Sequence, residues 1–264
     1  MAKRIFPESK LAHRYLDGLT GLEIGASAHN PFGLDTKNVD IADEFNRSTY
    51  KKRELHISGE VAPIDIVAPG DKLPVEDASV DFVISSHVLE HFADPIAALR
   101  EWYRVVRPDG YIYMIVPHME RTFDRGRTRT IVAELEARHA GTLAATPDPE
   151  TGHYSYWVTE DIVDLVRGIG LDWELVDFQD TDDKIGNGFA IVLRKGALSA
   201  EERKHVDAKW AAHLAKRQEL SESFFRPGSP VGRALELVGN AYRELVRSGP
   251  LGLWKRIKEM KHRS

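Results

Sequence analysis

The chain has 264 residues, 42% of them hydrophobic, enough for one substantial globular domain with appendages. A formal net charge of -5 gives no global pull toward nucleic acid, so any basic partner surface has to be local. The absence of cysteine excludes disulfides and thiolate metal sites, and no run of eighteen apolar residues marks a transmembrane span. Met1 to Pro7 carries a basic pair but neither the apolar stretch nor the cleavage site of a signal peptide, so a cytoplasmic protein is expected.

Taken in order, residues 8–19 read as an amphipathic helix with Leu11, Tyr15 and Leu16 on one side. Gly21–Ile24 and Val39–Ile41 read as short buried strands. The segment between them contains Asn30-Pro31 and Gly33, so a full crossover helix does not fit and the connection is expected to be short or irregular. Residues 63–67 form a third expected strand, Val80–Ser85 a fourth and Tyr111–Val116 a fifth. Between the last two, Pro95–Val106 predicts a helix stopped by the turn Pro108-Asp109-Gly110. Strands alternating with helices at this spacing imply a parallel, doubly wound α/β sheet.

After Val116 the pattern changes. Residues 118–157 hold Arg121, Arg125, Arg127 and Arg129, an expected helix over Thr130–His139, and Pro147 and Pro149, which suggests a lid over a site. Thr159 is the expected cap of a helix running to about Gly168. Leu171–Phe178 and Phe189–Leu193 complete seven strands as an antiparallel pair. Residues 1–197 then form the main domain and 198–264 a helical extension, opened by the capping box Ser199 and Glu202. Arg226-Pro-Gly-Ser-Pro230 reads as a linker before helices over Val231–Val246 and Leu251–Lys261. The basic end suits a helix packed on the domain or on a second copy in a homodimer, in preference to a membrane surface or RNA.

Four segments in this order carry a family resemblance. They are Gly21-Leu-Glu-Ile-Gly-Ala-Ser27, Asn38-Val-Asp-Ile-Ala-Asp43, Asp81-Phe-Val-Ile-Ser-Ser-His-Val-Leu-Glu-His91 and Arg107–Pro117. With Leu73-Pro74-x-x-Asp77-x-Ser79-x-Asp81 ahead of Leu89-Glu90-His91, they resemble the class I S-adenosylmethionine-dependent methyltransferases. The resemblance implies a Rossmann-like methyltransferase fold and S-adenosylmethionine as donor, held by Glu23, Gly25, Ala26 and Ser27 at the first turn. Asp40 is the implied ribose acid, with Asp43 as fallback, and Asp71 the adenine-side acid. Ser86 and His87 would lie beside the sulfonium. The departure from the family is that Gly25 is followed by Ala26, Ser27 and Ala28 and not by further glycines.

His87-Val-Leu-Glu90-His91 also fits the H-x-x-E-H spacing of zinc hydrolases. That chemistry needs the motif within a helix, whereas here it follows a strand and precedes Asp94-Pro95. A closer resemblance is to small-RNA 2'-O-methyltransferases and ubiquinone-pathway O-methyltransferases, which carry an acid-x-x-Glu-His motif at this place. It implies Glu90, His91 and His153 as ligands of Mg²⁺ or another divalent cation, with His87 replacing the usual first acid. Without a metal, His118 or His153 would serve as general base. Arg121, Asp124 and Arg127, with Tyr154 and Tyr156, are the expected acceptor contacts: arginines for phosphate, carboxylate or hydroxyl groups and rings for stacking.

These residues favour an O-methyltransferase of a sugar hydroxyl in polysaccharide or glycoconjugate synthesis, acting on a small-molecule or oligosaccharide acceptor. The chain also resembles the 1-O-methyltransferases of mycobacterial methylmannose polysaccharide synthesis, although no motif in it specifies mannose. Two alternatives stay open: methylation of a phenolic or quinone-like molecule, and a non-catalytic cofactor-binding module acting through its basic tail.

Overall fold

A computed structural model of the chain describes residues 5–41 and 50–225. Its first helix, α1 (Lys10–Leu16), is set by Ser9, whose hydroxyl accepts the Ala12 N–H at 3.1 Å and meets the Tyr113 hydroxyl at 2.8 Å. The cap thereby fixes the helix to the sheet it covers, with Leu11, Ala12 and Leu16 buried. The helix is shorter than the apolar spacing predicts because Gly18, at φ +77°, takes the left-handed conformation that ends it.

Seven strands follow: β1 (Thr20–Ile24), β2 (Asp35–Asp40), β3 (Ile66–Val67), β4 (Val80–Ser86), β5 (Val106–Pro117), β6 (Trp173–Gln179) and β7 (Gly188–Lys195). They form one sheet in the order β3-β2-β1-β4-β5-β7-β6. β1 to β5 pair in parallel, and β7 runs antiparallel to both β5 and β6. The seven-stranded, doubly wound arrangement matches the expected fold class. The order reverses between β1 and β4, where loops leaving the two carboxyl ends diverge and open a crevice. Phe82, Val83, Ile84, Met114 and Ile115, on the central strands, are fully buried.

Local chemistry explains where the elements depart from the sequence pattern. The third strand shrinks to Ile66–Val67 because Asn38 engages the preceding segment with its side chain. Its Nδ2 donates to the Pro63 carbonyl at 2.6 Å and its backbone N–H donates to Asp65 Oδ2 at 2.8 Å. The Pro108-Asp109-Gly110 turn lies inside β5, not ahead of it: pairing jumps from Val80↔Val106 to Phe82↔Tyr111, so the extra residues bulge, with Asp109 at φ +61°. No helix fills the β1–β2 connection, as expected.

Helix α2 (Lys51–Ser58) has no counterpart in the sequence reading. Its inward residues are Lys51, Glu54 and Ser58, a polar stripe at helical spacing, while Leu55 is exposed. Helix α3 (Pro95–Val105) begins as expected, with Asp94 accepting the Ala97 N–H at 3.0 Å and Pro95 in the first turn. It buries Ile96, Leu99, Trp102 and Val105 beneath β5.

In the expected lid, α4 covers Val132–His139 and not Thr130, because Thr130 pairs with Tyr156 through its backbone N–H at 2.9 Å and its hydroxyl at 3.1 Å. Helix α5 (Thr159–Gly168) is capped by Asp161, which accepts the Val158 N–H at 2.9 Å. Thr159 is therefore not the cap: its hydroxyl donates to Asp180 at 2.6 Å instead. Helix α6 (Ala200–Phe225) opens with the expected reciprocal bonds between Ser199 and Glu202.

The chain divides into two compact units, Met1–Arg203 and Lys204–Ser264. Asp43, the linker at 226–230 and the expected helices beyond it lie outside the described residues. Among the described residues, no helix is long and apolar enough to cross a membrane.

Candidate active site

A cavity of about 510 Å³ opens where β1, β4 and β5 end. Glu23 and Gly25 reach it from β1, Ser86 and His87 from β4, and Pro117 from β5. Gly25 holds φ +70°, which favours glycine, and a Cβ there would press on the Val88 side chain at 3.0 Å.

Glu23 is buried beside this turn. Desolvation pushes its carboxyl up to about 7, against the opposing field of Lys184 and a 3.3 Å bond from the Thr36 hydroxyl. Lys184 is also buried, and desolvation brings its ammonium down to about 8 although Glu23 acts in the other direction. Its Nζ donates to the carbonyls of Pro7, at 3.3 Å, and Pro31, and lies 4.2 Å from the Phe32 ring centre.

The irregular loop after β1 takes its support from side chains. Ala26 N–H donates to Asn38 Oδ1 at 3.0 Å, Ser27 Oγ meets His29 Nδ1 at 2.6 Å, and Ala28 N–H donates to Glu54. Glu54 also accepts the Ala62 N–H at 2.9 Å. Asp40 faces α2, with one oxygen 3.1 Å from Lys51 Nζ and the other accepting its neighbour's N–H. Burial disfavours the Lys51 charge, but Asp40 and Glu54 outweigh it and hold its pKa above the ordinary value. Neither Asp40 nor the exposed Asp71 lines the cavity, whereas Glu23, Gly25, Ser27, Ser86 and His87 do.

Beyond β4 the chain makes a short 3-10 turn, Leu89–His91. His87 enters it at φ +56°, an uncommon conformation for a residue with a side chain. Glu90 is buried with neither carboxylate oxygen hydrogen-bonded. Its Oε1 is 3.8 Å from His87 Nδ1 and 4.0 Å from His91 Nε2. Desolvation pushes Glu90 up to about 8, reinforced by Asp124, and brings His87 and His91 down to about 4. Burial thus drives both partners toward neutrality, so these contacts are not ion pairs at neutral pH.

His153 arrives from the lid and packs edge-on to His91 at 4.8 Å between ring centres. Glu90, His91 and His153 each present a ligand atom, all within 4.8 Å of one another. His153 Nδ1 is 3.2 Å from Asp124 Oδ2, and His91 Nδ1 is 3.2 Å from the Gly152 carbonyl. Burial lowers the His153 pKa, with Asp124 opposing the shift.

Other lid residues are engaged elsewhere. His118 is buried outside the cavity lining, its Nδ1 accepting the Glu120 N–H at 3.3 Å. Arg121 pairs with Asp180 at 3.0 Å, and Arg127 with Asp148 at 2.8 Å and Glu150 at 3.2 Å. These two arginines, Asp124, Tyr154 and Tyr156 do not line the cavity. Thr122 and Phe123 do, together with Arg53 and Tyr50 from the α2 side. Phe123 is 72% exposed at the rim, its ring centre 5.5 Å from that of His153. A phenylalanine between Arg121 and Arg125 was the available signal in the sequence; α2 gave none.

Residues 19–114, spanning β1 to β5, match the family described as Methyltransferase domain. Over these residues the chain is similar to the S-adenosylmethionine-dependent methyltransferases. Among its relatives is a protein of Mycolicibacterium smegmatis described as a probable S-adenosylmethionine-dependent methyltransferase. It is 33% identical over 165 residues, 61% of this chain and 60% of that protein. A transposon-borne protein of Streptomyces fradiae is 35% identical over 99 residues, 37% of this chain and 27% of that one. The chain thus spans less than two thirds of either relative's length. Among solved structures, a methyltransferase of Methanosarcina mazei is 20% identical, covering 72% of this chain and 98% of its own, with a TM-score of 0.45.

Proposed function

We propose that the protein is an S-adenosylmethionine-dependent O-methyltransferase acting on a sugar hydroxyl in polysaccharide or glycoconjugate synthesis. The observation that supports it best is a meeting around one cavity: Glu23, Gly25, Ser27, Ser86 and His87 on one side, Glu90, His91 and His153 on the other. The first group would hold the donor, with Glu23 and Gly25 against its amino-acid end and Ser86 and His87 beside the sulfonium. The second would receive the acceptor hydroxyl. Its oxygen lone pair forms the new C–O bond as the methyl–sulfur bond breaks, and that electron pair stays on S-adenosylhomocysteine.

The hydroxyl proton must leave in the same process. Two imidazoles and a buried carboxylate with free lone pairs suit a divalent cation, which when bound would supply the Lewis acidity that lowers the hydroxyl pKa. Without one, neutral His153 accepts the proton at Nε2, its Nδ1–H steadied by Asp124. His118, outside the cavity, is not carried forward as base. Phe123 at the rim favours a second reading, a phenolic acceptor stacked on that ring.

The test is S-adenosylhomocysteine release from a panel of mannosides, other sugars and phenols, with divalent cation or with EDTA. Turnover of a sugar is the expected result, and its loss in EDTA assigns the acidity to the cation. Turnover of phenols alone transfers the proposal to the second reading. No turnover, together with no binding of S-adenosylhomocysteine, overturns it.

A further inference from the structure

We infer that Asn187 determines acceptor specificity by holding a second, uncharged hydroxyl beside the one that is methylated. Asp182 is its positioning residue. This rests on the sugar-hydroxyl reading above and narrows it to neutral polyols, in preference to sugar phosphates and uronic acids. Sheet order places the residue. Ser86 and His87 leave β4, and β5 and then β7 stand beyond it on the side away from β1. Asn187, just before β7, lines the cavity there with Ile185, Pro117, Thr122 and Phe123, and none of these five side chains is charged. The Asn187 carbonyl accepts the His118 N–H at 3.2 Å, which pins the residue to the carboxyl end of β5. Its side-chain Oδ1 is buried with no hydrogen-bond partner among the described residues, a costly state that a ligand hydroxyl would relieve. A carboxamide both donates and accepts, as a hydroxyl does, so the two groups match without any charge.

The loop that carries Asn187 is built around one carboxylate. Asp182 is buried between β6 and β7, and its Oδ1 accepts the N–H groups of Lys184 at 3.1 Å, Ile185 at 2.6 Å and Gly186 at 3.0 Å. Its Oδ2 accepts those of Gly186 at 3.0 Å and Gly188 at 2.8 Å. The Asp182 N–H in turn donates to the Gly188 carbonyl at 3.1 Å, and Lys184 braces the loop against the carbonyls of Pro7 and Pro31. A loop tied in this way holds its shape before a ligand arrives, which is what selecting one hydroxyl requires. An anion finds no partner on this side. Arg121 and Arg127 are taken by Asp180, Asp148 and Glu150, and neither lines the cavity. Arg53, the one lysine or arginine among the described lining residues, stands on α2 beside Glu54, which holds the loop after β1. A phosphate or carboxylate on the acceptor would need such a cation in place of its water.

The experiment measures steady-state methyl transfer by the full chain to methyl mannoside, methyl glucoside and their mono-deoxy derivatives. Methyl glucuronide and mannose 6-phosphate serve as charged counterparts. The neutral sugars should be preferred about tenfold or more in kcat/KM. Asn187→Ala should raise the acceptor KM about tenfold, the size of one neutral hydrogen bond, with kcat and S-adenosylhomocysteine affinity unchanged. One deoxy derivative should cost wild type about the same factor and cost Asn187→Ala nothing further, a non-additivity that a merely structural residue would not produce. Asp182→Asn should raise the same KM, and adding Asn187→Ala to it should change little more. If Asp182→Asn does not fold, the deoxy-sugar cycle on Asn187 decides by itself. Equal losses from every deoxy sugar in wild type and Asn187→Ala, or a preference for the charged sugars, overturn this inference while the sugar-methyltransferase reading stands. No turnover of any sugar overturns both.

Discussion

Replacing Glu23 with glutamine should change the pH dependence of stability in a way that isolates one buried carboxyl. The folded state holds this group protonated up to about 7, whereas a solvated glutamate ionises near 4.5. A pKa raised on folding contributes stability that is complete below the unfolded value and is lost as pH rises through the folded one. Each pKa unit is worth about 1.36 kcal/mol, so the full loss is on the order of 3 kcal/mol, and about 2 kcal/mol of it falls between pH 5 and pH 7.5. The amide has no such loss. Urea unfolding of both proteins at the two pH values gives four free energies, and the difference of differences removes every group the variants share. Glu23→Gln should gain about 2 kcal/mol relative to wild type on going to pH 7.5. A difference that does not change with pH would refute the assignment of Glu23 as a desolvated, protonated carboxyl at pH 5. In the same samples, S-adenosylhomocysteine affinity should fall, because the variant keeps shape but loses an acceptor at the proposed donor end.

Two further substitutions probe the neighbouring elements. Glu54→Ala removes the acceptor shared by Ala28 and Ala62 and should cost about 2 kcal/mol in chemical denaturation, near the low end of about 1–3 kcal/mol per stranded donor because both residues are half-buried; a loss below about 0.5 kcal/mol would contradict the role given to α2. Phe123→Ala should raise the acceptor KM severalfold with donor affinity unchanged, as steady-state kinetics and calorimetry will report, and an unchanged KM would remove Phe123 from acceptor binding.

Much of the sheet was legible because its strands are short apolar runs flanked by turn residues, as at Gly21–Ile24 and Val80–Ser85. The capping box of Ser199 with Glu202 was legible as well, whereas Thr159 turned its hydroxyl to Asp180 and left the capping to Asp161. Helix α2 was not, because the face it buries is Lys51, Glu54 and Ser58, and apolar periodicity is blind to a helix that turns charge inward. The grouping of Glu90, His91 and His153 followed from resemblance, but the partners of the lid arginines did not. Arg121 meets Asp180 and Arg127 meets Asp148, pairings decided by how the lid folds back and not by local spacing. Asp124 illustrates the same limit: nothing near it in sequence marks it as the residue behind His153.

The connection after β1 has a consequence for which nucleotides the crevice can admit. In dinucleotide-binding folds a helix begins there, and its N-terminal amides and dipole receive a pyrophosphate. Here no helix follows β1, the amides of Ala26 and Ala28 already serve Asn38 and Glu54, and the nearest buried acids are Glu23 and Glu54. The turn offers a diphosphate no helix N-terminus, and the amides of Ala26 and Ala28 are already engaged. A ligand without phosphates needs no such receptor, so the loop that lacks the fold's usual helix places no demand on it.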